Sequence, residues 1–126
     1  MMSDLNNIQI LEPKSQDMSF FIGSTNKITY HIKNNGEFKI KDLELSTFTV
    51  KNKGSEEKPE YVNTEKNYAQ IVTHPKILMP YETKEIRVVV NVPPDYSETV
   101  YKDKESHKVP FYVKFKIHGI EHIEEL

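Results

Sequence analysis

The stretches KEIRVVVNV (84–92) and VPFYVKFKI (109–117) place an apolar side chain at every second position, and this two-residue period constrains the fold more than any other feature of the chain. Side chains of an extended strand point alternately to its two faces. Ile86, Val88, Val90 and Val92 therefore share one face, as do Val109, Phe111, Val113, Phe115 and Ile117. A helix would scatter both sets around its circumference. The segment KITYHIKN (27–34) repeats the pattern, with Ile28, Tyr30 and Ile32 on one side and Thr29, His31 and Lys33 on the other.

Turn residues separate these runs. Asn34, Asn35 and Gly36 tolerate positive φ, which predicts a hairpin or a strand-to-strand corner after residue 33. Pro93-Pro94 ends the run at Val92 by withholding backbone donors. Leu43 and Leu45 are in phase with each other, but Phe48 and Val50 have the opposite parity, which predicts a β-bulge or a crossing between sheets near Ser46 or Thr47. Residues 51–67, KNKGSEEKPEYVNTEKN, lose all periodicity and are expected to form a long loop, and a second polar loop is expected over 93–108. NIQIL (7–11), MSFFI (18–22), YAQIV (68–72) and KILM (76–79) each offer a further short strand.

The sum is about seven to eight strands with no helix before the last few residues, which predicts an all-β fold, either a two-sheet antiparallel β-sandwich or a small barrel. A chain of 126 residues suits one domain. Its core is expected over about 17–118, with a possible N-terminal strand at 7–11 and a short C-terminal tail at 119–126.

The turn and core motifs KNNGEF (33–38), ILMPYETKEIRVVVNVPP (77–94) and VPFYVKFKI resemble those of immunoglobulin-like β-sandwiches of the CARDB and NEW3 type, found in archaeal and bacterial envelope proteins. The resemblance covers about residues 19–118. It implies an immunoglobulin-like sandwich used as an adhesive, spacer or partner-binding module, and it brings no catalytic residues with it. Two departures stand out: the corner Pro80-Tyr81-Glu82-Thr83 lacks the glycine usual in that family, and the loop at 51–67 is an insertion. The Cys pair and core Trp of antibody domains are absent.

Composition narrows the function by elimination. Lys and Arg number 17 against 19 Asp and Glu, so no excess of positive charge recommends nucleic acid or anionic lipid as a partner. The absence of cysteine removes disulfides, thiolate metal sites and thiol catalysis. No apolar run is long enough for a membrane span, and the first residues lack the basic start and apolar stretch of a secretory leader. As written, the chain reads as soluble, and thus cytoplasmic or viral; it would be extracytoplasmic if it were a trimmed ectodomain. With four glycines and no phosphate-loop or nucleophile-elbow motif, no cofactor and no enzymatic activity are expected.

Candidate sites are few. His118 and His122 stand four apart with Glu121 between them, a spacing that brings two rings to one ion on a helix. On a strand it separates the Cα atoms by roughly 13 Å, so no metal site is expected unless Gly119 turns the chain. The carboxylates at 56–60, 95–105 and 121–125 lack the register of a calcium loop. Tyr61, Tyr68, Tyr81, Tyr96 and Tyr101 fall in polar segments. Exposed tyrosines supply large contact area at low entropic cost, which makes Tyr96 and Tyr101 the candidate binding residues; the alternative is that such tyrosines fold back over the ends of the sandwich.

The leading reading is a non-catalytic module that binds another protein, or a glycan, through loops or an exposed strand edge. A structural subunit of a virion, filament or envelope assembly is the alternative, and a metal-dependent enzyme built on His118, Glu121 and His122 the third. Oligomeric state is left open.

Overall fold

A computed structural model describes residues 7–13, 20–55, 57–96, 108–109, 111–118 and 122–124. In chain order the strands are β1 (Ile8–Leu11), β2 (Phe20–Phe21), β3 (Thr25–Asn34), β4 (Lys39–Lys41), β5 (Glu44–Asn52), β6 (Tyr61–Asn63), β7 (Ala69–Thr73), β8 (Thr83–Asn91), β9 (Lys108–Val109), β10 (Phe111–His118) and β11 (His122–Glu124). No helix among the described residues is long and apolar enough to cross a membrane.

Every pairing is antiparallel. One sheet runs β1-β3-β8-β7 and the other β10-β5-β6, with two short ribbons, β11-β4 and β2-β9, beside them. The fold is an immunoglobulin-like two-sheet β-sandwich. Ile86, Val88, Val90 and Val92 are buried as their alternation requires, and Tyr30 and Ile32 join them from β3. The opposing sheet contributes Leu45 and Val113, with Phe115 and Ile117 packed at the margin. Across the interior the Tyr30 and Phe115 rings meet edge to face, centroids 4.8 Å apart.

Strand β5 corrects the expected bulge. Its register with β10 runs unbroken from Glu44 opposite His118 to Lys51 opposite Phe111. The inward positions after Leu45 belong to Thr47 and Thr49, which are buried. Thr49 is tolerated because its hydroxyl bonds that of Thr64, whose single proton goes to the Lys66 carbonyl, with the Thr49 carbonyl 3.2 Å away. A register shift does occur, but in β7, between Ile71 and Thr73.

The segment 51–67 is also more ordered than a plain loop. Asn52 closes strand β5, and its Oδ1 accepts from the backbone N–H of Gly54 and of Glu60, both at 2.9 Å. That arrangement turns the chain into β6. A side chain at Gly54 would place Cβ 2.2 Å from the Lys58 carbonyl oxygen, so only glycine fits. Likewise, His122–Glu124, expected as tail, pairs with β4.

The Asn34-Asn35-Gly36 break is a corner between the four-stranded sheet and the β11-β4 ribbon, and it works differently from the expectation. Gly36 does not use positive φ, which falls instead on Gly23, Asp42 and Tyr81. Asn34 is the organiser: its Nδ2 donates to the carbonyls of Phe38 (2.7 Å) and Met79 (3.2 Å), and its Oδ1 accepts from Gly36 N–H at 2.9 Å. A buried amide thereby ties the end of β3 to the segment 78–79, which Leu78 joins to Ile40 of β4 by paired backbone bonds.

Candidate functional site

The outer face of the β10-β5-β6 sheet departs from the polar surface that an antiparallel sheet turns to water. Opposite to the inward Leu45, Thr47 and Thr49, the alternation directs Phe48 and Val50 outward. Register places Val50 between Tyr112 on β10 and Asn63 on β6, with Tyr61 one step along opposite Asn52. Tyr61 and Tyr112 therefore flank β5 from both sides, and their rings meet edge to face over it at 5.7 Å. Val50 is buried at this junction although it lies on the outer face. The rings that cover it remain 55% and 46% exposed.

The same face is positively biased. Lys114 and Lys116 follow Tyr112 along β10, opposite Phe48 and Ser46, and both are exposed. Neither makes an ion pair with any described residue. The described residues of these three strands include one carboxylate, Glu44, at the far end opposite His118.

A second concavity lies where β3 and β7 begin and β8 ends. This cleft, of about 500 Å³, is lined by residues 23–25, 66–70 and 91–94. Part of its main chain is internally bonded: Asn91 N–H donates to the Tyr68 carbonyl at 3.0 Å, and Val92 N–H to the Ser24 carbonyl at 2.9 Å. Asn67 is similarly occupied, donating to the Thr47 carbonyl and accepting from Ala69 N–H.

No protein-family model matches the sequence, and no curated protein matches it. Among solved structures the chain is similar to the ASH/PapD-like domain of human CEP192 (PapD-like domain 7), at 16% identity and a TM-score of 0.43. The match covers 70% of this chain and 61% of that one, so less than two thirds of the other chain's length is spanned.

Of the sites expected from sequence, Tyr96 is not at the surface. It is 8% exposed and packs edge to face on Tyr68 at 5.3 Å, covering the end of the sandwich. Tyr101 lies outside the described residues. His118 and His122 fall on different strands, β10 and β11, of different sheets. The His118 ring is engaged with Ser46 Oγ at 2.9 Å. Among the described residues no three His, Asp or Glu side chains gather where they could hold a metal ion.

Sequence reasoning missed Phe48, Tyr61 and Tyr112 as a group. By alternation Tyr112 is one outward residue of β10 among several, and Tyr61 lies in a segment without periodicity. Only the pairing of β5 with both neighbours reveals that they share one surface. A single signal was present: the opposite parity of Phe48 and Val50, which marks outward apolar residues rather than a bulge.

Proposed function

We propose that this chain is a non-catalytic protein-interaction module that binds through the outer face of its three-stranded sheet. The observation that carries the reading is the exposed Tyr61–Tyr112 pair closed over Val50, with Phe48 beside it. Folding alone asks for polar residues here, whereas interface centres favour tyrosine and phenylalanine anchors. The phenol groups supply hydrogen bonds at the rim of the apolar contact.

The charge on the face selects the partner. Lys114 and Lys116 call for carboxylates, and the face offers too few for a second copy of the chain to supply them. The occupant is therefore an acidic protein segment that presents an apolar side chain to the tyrosine pair. Among the described residues no three His, Asp or Glu side chains gather into a competing site. The buried Tyr30 phenol, whose ionisation burial pushes to higher pH, has no access to a substrate. The resemblance of the corner and core motifs to CARDB- and NEW3-type sandwiches supports an adhesive or partner-binding role, and it is the ground for placing that role in a cell envelope.

Titration of ¹⁵N-labelled protein with a glutamate-rich peptide carrying one phenylalanine tests the proposal. Shifts should centre on Phe48, Val50, Tyr61 and Tyr112, and the charge reversal Lys114→Glu with Lys116→Glu should abolish them. Shifts elsewhere, or indifference to the reversal, contradict it. Light scattering that finds a dimer sensitive to Tyr112→Ser would assign the face to self-association instead.

A further inference from the structure

The cleft at the end of the sandwich carries polar capacity that the fold does not use. Thr25, Gln70 and Asn91 are exposed and project from the outer side of the four-stranded sheet, with Thr25 directly opposite Asn91 in the β3–β8 register. Their side chains, and the ammonium group of Lys66, make no hydrogen bond or ion pair with any described residue. All four residues line the same cleft of about 500 Å³. Tyr68 is a further lining residue, and its ring packs edge to face on that of the buried Tyr96. The cleft thus combines a braced aromatic with two amides and a hydroxyl that both donate and accept.

The chemistry of these groups selects a ligand class. The backbone groups that join Asn91 to Tyr68 and Val92 to Ser24 are already paired, which leaves recognition beside them to side chains. A single lysine makes a poor phosphate site, and no carboxylate lines the cleft to hold a cation. Side-chain amides facing a hydroxyl match the vicinal hydroxyls of a pyranose, which also donate and accept. Its C–H face suits the tyrosine and the adjoining Pro93 and Pro94. The volume lies within the usual range for small-ligand sites.

We propose that this cleft binds a short oligosaccharide, with Gln70 and Asn91 as the polar contacts, Tyr68 as the stacking surface and Tyr96 as the residue that positions it. This site is independent of the sheet face assigned to protein binding.

The test applies the whole chain to an array of neutral and uronic-acid oligosaccharides, followed by titration of the best-binding probe with detection of the Asn and Gln side-chain amides. The proposal expects at least one probe to bind and to shift the Gln70 and Asn91 amides. The double substitution Gln70→Ala/Asn91→Ala should weaken it about tenfold or more. Because both residues are exposed, that variant should keep the fold, which an unchanged amide spectrum elsewhere would verify. Tyr96→Leu should weaken binding without removing any ligand contact, while Tyr61→Ser/Tyr112→Ser should bind sugar as the parent does even if it has lost its protein partner. Failure of every probe to bind, or binding that ignores the Gln70/Asn91 substitution, overturns the proposal.

Discussion

Single residues hold positions that general rules would give to others. Tyr81 sits at φ 62° in the turn Met79-Pro80-Tyr81-Glu82, closed by the Glu82 N–H to the Met79 carbonyl, at the place where glycine is normal. The glycine absent from this corner is replaced by strain in a residue that is 60% exposed. Tyr81→Gly should therefore exceed Tyr81→Ala in stability by about 1 kcal/mol, measured by urea unfolding; equal values would deny the strain. Asn34 is the converse case, a polar residue that the core requires. Asn34→Ala strands the Phe38 carbonyl and the Gly36 N–H, and should cost about 2–3 kcal/mol. Tyr30, 1% exposed, has a hydroxyl without a hydrogen-bond partner among the described residues, and burial, aided by the charge of Glu12, raises its pKa. The unfolded phenol releases its proton near pH 10 while the folded one retains it, so stability is intact below about pH 10 and falls as the pH rises above it. Tyr30→Phe should flatten that alkaline decline and be neutral or stabilising by about 1 kcal/mol at pH 7. A steeper decline in the variant would contradict the linkage.

At the scale of elements, the strands whose inward residues are all apolar were legible from sequence. Strand β8 and the middle of β3 lie where their alternation put them, because burial on one face leaves no freedom of register. Strand β5 was misread because the period was judged by apolar residues alone. Thr47 and Thr49 keep its phase, and a β-branched hydroxyl residue suits a strand interior when its oxygen is bonded. The two threonines should respond oppositely to the same substitution. Thr47 makes no side-chain hydrogen bond among the described residues, so Thr47→Val should gain about 0.5 kcal/mol; Thr49→Val breaks the bond to Thr64 and should lose about 1 kcal/mol, both by chemical denaturation. Equal signs would show that the Thr49–Thr64 bond contributes nothing. Strand β6 escaped notice for another reason. It is three residues long and its place is set by Asn52 accepting two backbone N–H groups across the loop, a contact that no local pattern announces.

In the whole molecule, both candidate surfaces arise from pairing between distant segments. Tyr61 and Tyr112 are brought together by their separate pairings with β5, and Thr25, Gln70 and Asn91 by the pairing of β3 and β7 with β8. That is why the sandwich could be read from the sequence while these two candidate surfaces could not. Tyr96, expected at a binding surface, is 8% exposed and packs on Tyr68. The central claim is that partners meet the outer face of the three-stranded sheet. Photo-crosslinking in the native host tests it most directly, with a benzophenone amino acid placed at Tyr112 in one strain and at the exposed His31 of the other sheet in a second. A discrete protein adduct from position 112 that disappears with Lys114→Glu/Lys116→Glu, and no such adduct from position 31, is the predicted result. An adduct from position 31 alone, or equal products from both, would contradict the account.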